Sequence, residues 1–302
     1  MVTNFQSKNV YSFKTFGSRA LIRYLLVEHR ASLMAALATV GLTAEELLMS
    51  NRVLSGAEQA PIWGLASQLK PANPLIAFKA ALLHDIHDSG LPGVIARSCS
   101  SVRELIEIHE KYLSKLDSEG VLSQISMTND SVSYYFVALA QYPPVIQEYA
   151  LATTWMALTA LSPQARNYML AMEFPGSIEA HGLAPELLDA IVADFGVKLS
   201  FNSGRLALVL KQSFVDMPIP TVDPALRLML ERKLRVLIGE TLPEDGEELR
   251  SQVLAAILEL RAHEQAISLE SVSDFIGVKS EKLSYALRSH GISFQKLKSI
   301  LE

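Results

Sequence analysis

The sequence predicts a mainly α-helical α+β protein, and three observations lead there. Apolar residues recur at helical spacing along most of the chain, as in Leu105, Ile108, Tyr112 and Leu116. Strand-forming residues gather near the middle, at Val121, Ile125 and Val132–Val137, with short runs at Tyr168–Phe174 and Leu206–Leu210. Ser, Thr and Gly stand where helices would start and stop. The 302 residues are 49% hydrophobic and 20% charged. That is enough apolar content for one large or two moderate cores, and too much for a disordered chain.

Taken in order, residues 1–17 read as a loose polar and aromatic arm. Residues 1–30 carry Lys8, Lys14, Arg19, Arg23 and Arg30 against Glu28, a basic end of the kind that is usually solvated. Ser18–Val40 has a helical pattern that Gly41 ends. Thr43 with Glu46 makes a capping box for the next helix. Helical spacing continues through Ala57–Lys70 and Pro74–Leu83, and a Gly/Pro-rich turn is expected at Ser89–Gly93. Ser100 or Ser101 then caps a helix running to about Leu116. Asn129-Asp130 reads as a hairpin turn between strands. Pro144–Leu161 is a long apolar helix, and Pro185–Phe195 a shorter one between the two later strands. After Pro218 and Pro220, Asp223 caps a helix reaching Ile238. A turn at Pro243–Gly246 leads into a helix at Glu247–Arg261.

The final stretch carries the most chemistry. Ser268 can cap a helix with Glu270 in its first turn, and Val272, Phe275 and Ile276 supply its apolar side. Gly277 ends it. Ser280 is read as the cap of a second helix, with Leu283, Ala286 and Leu287 facing inward and Gly291 closing it. Two short helices joined by a Gly turn form the unit that places its second helix in a DNA major groove. Ser280, Glu281, Lys282, Ser284, Tyr285 and Arg288 would then face outward toward bases and phosphates, with Lys282 and Arg288 the best phosphate or guanine contacts. Residues 275–302 hold Lys279, Lys282, Arg288, Lys296 and Lys298 against Glu281 and Glu302, a net +3 on a chain whose net charge is −5. The same positions also fit a solvated helix face. Upstream, Leu226, Leu230, Leu234 and Leu237 form a seam suited either to a partner helix in a dimer or to an intramolecular contact.

Other classes are narrowed by what the sequence lacks. One cysteine, Cys99, excludes an intrachain disulfide framework and a Cys-rich zinc site, and suits a reducing cytoplasm. Ser131–Gln147 and Ala150–Ala165 are uncharged or nearly so, yet prolines and polar residues interrupt them, so no membrane span is expected. No Gly-rich phosphate loop, nucleophile elbow or zinc-protease signature calls for a cofactor or a catalytic residue.

Four stretches, in this order and spacing, resemble the AraC family of bacterial transcription regulators, in the branch with an arabinose-binding-like N-terminal region. They are GLTAEELL (41–48), SGLPGVIARSCSSVRELIEIHEKY (89–112), ADFGVKLSFNSGRLALVLKQSFVDMPIPTVDPAL (193–226) and SLESVSDFIGVKSEKLSYALRSHGISFQKL (268–297). The resemblance implies an effector-binding and dimerisation domain over 1–220, a linker helix over 221–246, and a partial helix-turn-helix domain over 247–302. It implies a homodimer, a small-molecule effector of unknown identity, and DNA as partner. The effector would sit among Trp63, Phe78, Tyr112, Tyr134, Tyr135, Phe136 and Trp155, most of which also fit a plain core. The family pattern has a second helix-turn-helix, a small residue where Ser273 stands, and a basic residue where Tyr285 stands. With the sequence ending at Glu302, DNA binding is expected to be weak or partial. An interaction protein that has lost DNA binding is the alternative.

A third reading comes from ALLHDIHDSG (81–90), where the adjacent pair His84-Asp85 resembles the centre of the HD metal-dependent phosphohydrolases. It would require His29 and Asp117 as further ligands, with His87 one helical turn on.

Overall fold

A computed structural model describes residues 18–49, 54–113, 123–237, 242–243, 245–262 and 265–301. The expected arm at 1–17, Leu116, Val121 and Ile238 lie outside the described residues. The chain divides into two compact units, Met1–Asp223 and Pro224–Glu302.

The first unit opens with α1 (Arg19–Glu28) and α2 (Arg30–Ala38), where one continuous helix was expected. The break falls at His29, at φ −140° and ψ 38°. Its cause is legible in the spacing of the buried residues. In one straight helix the mean direction of Leu33 and Leu37 would lie about 90° from that of Leu21, Ile22 and Leu25. Breaking the helix lets both sets be fully buried. Gly41, at φ +67°, stops α2. The Thr43–Glu46 box then starts α3 (Ala44–Met49), with Thr43 N–H donating to Glu46 at 2.9 Å and Glu46 N–H to Thr43 Oγ1 at 3.2 Å.

Next come α4 (Gly56–Leu69), with a Ser55–Glu58 capping box, and α5 (Ile76–Ala81). The turn expected at Ser89–Gly93 is instead a 3-10 turn, Ile86–Ser89, followed at once by α6 (Gly90–Ser98). Gly90 takes φ +59° at the junction. Pro92 falls in the first turn, where its missing N–H costs nothing. Gly93 is needed for space, because a Cβ there would lie 2.3 Å from the Ile86 carbonyl oxygen. Ser101 caps α7 (Val102–Ile108), accepting from Glu104 N–H, and a π turn follows at His109–Leu113.

The strands lie side by side in the order β1 (Ser123–Met127), β2 (Ser131–Phe136), β5 (Ala207–Lys211), β3 (Met169–Glu173) and β4 (Leu199–Ser200). β1 and β2 form the expected hairpin, with Ile125 opposite Tyr134. Antiparallel to β2 and β3 runs the central strand β5, with Ser133 opposite Val209 and Met172 opposite Leu208. Ala207–Leu210 are buried on both faces, hence the unbroken apolar run. β4 adds two residues parallel to β3, too short to show in the sequence.

The core element of the first unit is α8 (Pro144–Leu161), with α9 (Pro185–Phe195) beyond it. Trp155 is fully buried and its indole N–H donates to the Phe195 carbonyl at 2.9 Å. The buried Tyr149 hydroxyl accepts from Leu21 N–H at 3.2 Å, and burial raises the pKa of this phenol. On the same helix Glu148 is completely buried. Its carboxylate accepts from Lys70 Nζ at 2.7 and 2.9 Å and from His181 Nδ1 at 2.8 Å. Phe174 and Phe201 set their rings edge-on to His181. This cluster joins α4, α8 and the loop before α9.

The second unit comprises α10 (Pro224–Leu237), α11 (Gly246–Ala262), α12 (Leu269–Ile276), α13 (Ser280–Ser289) and α14 (Phe294–Leu301). Its core is Leu249, Val253, Ile257 and Leu260 of α11 against Val272, Phe275, Ile276, Leu283, Leu287 and Leu297. No helix among the described residues is long and apolar enough to cross a membrane.

Candidate functional site

The helix pair of the second unit is assembled by local sequence. Ser268 and Ser271 form a reciprocal capping box at the start of α12, with N–H to Oγ distances of 2.8 and 3.0 Å. Gly277 takes φ +84°, which lets its own N–H and that of Val278 both reach the Ser273 carbonyl. The expected cap at Ser280 is corrected: Lys279 holds the capping position without a side-chain bond, and Ser280 lies in the first turn of α13. Its hydroxyl lies 2.9 Å from the hydroxyl of the fully buried Ser273, which also donates to the Glu270 carbonyl. A serine where the family pattern has a small residue is therefore a satisfied polar strut between the two helices.

On α13 Leu283 and Leu287 are buried, while Glu281, Lys282, Tyr285 and Arg288 are exposed and Ser280 and Ser284 half-buried. Tyr285 is 72% exposed, an unusual cost for a large aromatic side chain. Arg288 Nε donates to the Ser284 carbonyl at 3.2 Å, holding the guanidinium along the helix. The outward face thus presents Lys282, the Glu281 carboxylate, the Tyr285 ring and the Ser284 hydroxyl in its first two turns, with Arg288 in the last turn. In α10 Leu230 and Leu234 are buried and Leu226 is half-buried, while Met229 is 56% exposed. α10 packs on α12. The side chain of Leu237 lies outside the described set.

The first unit holds a cavity of about 170 Å³. Its walls are Pro92, Gly93 and Ala96 of α6, Val102, Leu105 and Ile106 of α7 with His109 beyond, Ile125, Val132 and Tyr134 of the hairpin, Thr154, Ala157, Leu158 and Leu161 of α8, and Phe214. Small residues make the space: Gly93 and Ala96 one turn apart on α6, and Ala157 on α8. Of the seven aromatics offered by the sequence, only Tyr134 lines this cavity. Trp63, Phe78, Tyr112, Phe136 and Trp155 are buried core residues. Tyr135 accepts from the Arg205 guanidinium at 2.9 Å on the other face of β2. The lining residues that the sequence did not mark are mostly aliphatic, with Ser89, His109, Thr154 and Phe214 besides, and their only prior signal was the small-residue spacing.

Tyr134 Oη lies 3.5 Å from His109 Nε2, with the rings edge to face at 5.6 Å. Burial holds the His109 imidazole below its ordinary value, so it is neutral near pH 7. The unfolded ring takes a proton more readily, so stability is intact above about pH 6.5 and falls as the pH drops through that value. The urea midpoint is expected to be lower at about pH 5.5 than at about pH 7.5, and the drop to be smaller in His109→Gln. An equally steep profile in the variant would refute this.

The cavity walls are tied to the chain leaving this unit. Val102 N–H donates to the Met217 carbonyl, Ile219 N–H to Ser100, Thr221 Oγ1 to Arg97, each at 3.0 Å, and Asp223 N–H to Ser98 at 3.3 Å. The strap from Phe214 to Asp223 therefore starts in the cavity wall, runs along the α6–α7 junction and enters α10.

The metal-site expectation is not assembled. His84 is half-buried, with Nε2 3.2 Å from Ser89 Oγ and Nδ1 3.9 Å from Asp88. Burial lowers its pKa against the opposing pull of Asp88. Asp85 is exposed and caps the 3-10 turn through His87 N–H at 2.8 Å. His87 is exposed and His29 rests against Tyr24. Asp117 lies outside the described residues, among which no three His, Cys, Asp or Glu side chains gather as a metal site would need.

Residues 31–219 match the family model described as the arabinose-binding domain of AraC transcription regulator, N-terminal. Among solved structures, the transcriptional regulator CdpR from Pseudomonas aeruginosa is similar in fold, with a TM-score of 0.54 at 14% identity, over 98% of this chain and 84% of that one. No curated protein matches the chain.

Proposed function

This chain belongs to the family of AraC transcription regulators that carry the arabinose-binding N-terminal domain, and from that premise we propose that it is an effector-responsive regulator that reads DNA with α13. The observation that carries the reading is the strap: one continuous segment, Phe214–Asp223, begins in the cavity wall with Phe214, is hydrogen-bonded along the α6–α7 junction and leads into the unit that holds the helix pair. A ligand that prefers one arrangement of α6 and α7 shifts the population of strap conformations, and with it the presentation of residues 247–302. Ser280, Glu281, Lys282, Ser284, Tyr285 and Arg288 form the reading face. The protein works in the cytoplasm, without enzymatic chemistry or a metal, as a homodimer that sets two α13 helices on one duplex. Leu230 and Leu234 of the α10 seam are already buried, so pairing there exchanges those contacts or uses the flank at Met229.

One α13 with few cations binds a duplex weakly, and the binding depends on salt. The test is a gel shift of the full chain on duplexes selected from a random-sequence pool, with the salt concentration varied. Sequence-selective binding that weakens steeply with salt supports the reading. Absence of any shift at low salt favours the alternative, a regulatory protein that acts by pairing with another protein.

A further inference from the structure

The cavity has a chemical character that restricts what it can hold. Among the described residues, its walls contain no lysine, arginine, aspartate or glutamate. An anionic ligand would lose its hydration with no cation to replace it. His109 offers no positive charge near pH 7, because burial keeps it neutral. A sugar would fare no better, since each of its hydroxyls needs a partner and the walls are overwhelmingly aliphatic. The polar groups that do line it, Ser89, His109, Tyr134 and Thr154, are few, and each has a partner in the fold. Thr154 Oγ1 donates to the Ala150 carbonyl at 2.8 Å, and Ser89 Oγ pairs with His84. His109 and Tyr134, paired with each other at 3.5 Å, place an imidazole and a hydroxyl side by side in the wall, a corner where a ligand oxygen can join an existing polar contact.

We infer that this cavity binds an uncharged, largely hydrocarbon molecule carrying one hydroxyl or carbonyl, which is held at His109 and Tyr134. Its volume admits about six to ten heavy atoms. The inference rests on the cavity being the effector site proposed above, and it replaces the sugar suggested by the family's description with a different ligand class. The hydrocarbon part lies along Leu105, Ala157, Leu158 and Phe214, and the oxygen meets the single polar corner.

The test uses the full chain and four probes of similar size: p-cresol, 1-octanol, octanoate and arabinose, each titrated calorimetrically. The two neutral apolar probes are expected to bind at least about tenfold more tightly than octanoate or arabinose, because only they enter without an unpaid desolvation. Ala157→Phe, which fills the cavity, abolishes their binding, and Leu105→Phe is a second filling variant should the first fail to fold. Tyr134→Phe weakens 1-octanol by about three- to tenfold, while ethylbenzene, which has no oxygen, is unaffected. Octanoate or arabinose binding as tightly as 1-octanol, and lost on filling, would overturn the ligand class yet leave the cavity as effector site. Failure of both neutral probes to bind, or binding indifferent to both filling variants, would overturn the inference itself. Neutral probes that bind in the cavity but leave the gel shift unchanged would uphold the inference and overturn the effector reading.

Discussion

Lys70→Met is expected to lower the folding free energy by about 3–5 kcal/mol, the largest single effect outside wholesale core deletion. Glu148 is completely buried and Lys70 nearly so. Removing the ammonium leaves a carboxylate in the interior with one ring nitrogen for company. Attraction between the charges does not make the pair a strong net stabiliser, since both had to leave water. The cost of the single change comes instead from stranding the survivor. The double variant Lys70→Met/Glu148→Leu should therefore recover much of the loss, and the urea midpoints of the two singles and the double form the cycle that reads it. A single variant within about 0.5 kcal/mol of the parent would show that Glu148 is not committed to Lys70.

Arg288→Ala and Lys282→Ala are each expected to weaken selected-duplex binding by about 1–3 kcal/mol if they meet base edges. If they meet phosphate, each lowers the salt slope by about one and weakens all sequences alike. Both side chains are exposed on the face opposite Leu283 and Leu287, so the melting temperature should stay unchanged. Tyr285→Ala separates recognition from charge: it removes a ring that is 72% exposed and leaves the cations in place. A triple variant whose affinity and salt slope equal those of the parent would remove α13 from the interface.

Local chemistry explains why the helix pair was readable. Ser268, Gly277, Leu283 and Gly291 each act within a few residues of themselves, through a cap, a left-handed turn or an i,i+4 contact. The Thr43–Glu46 box, the hairpin around Asn129-Asp130 and the bounds of α8 and α9 were legible on the same grounds. Where reading failed, the deciding partner was distant or the signal ambiguous. A break at His29 follows from which faces Leu21 and Leu33 must bury. The Gly/Pro segment at 89–93 starts a helix because the Ile86 carbonyl leaves room only for Gly93. Ser280 lost its expected capping role to a hydroxyl seven residues upstream in a neighbouring helix.

Most helices and strands, the caps other than that of α13, and the outward set on α13 apart from Ser280 follow from the chain alone, since periodicity and capping are short-range. The cavity, its neutral lining, the Lys70–Glu148–His181 cluster and the strap at the α6–α7 junction required the folded molecule. Each joins residues tens to more than a hundred positions apart, and no local pattern encodes which aliphatic side chains will surround a space or which charge will be buried beside another.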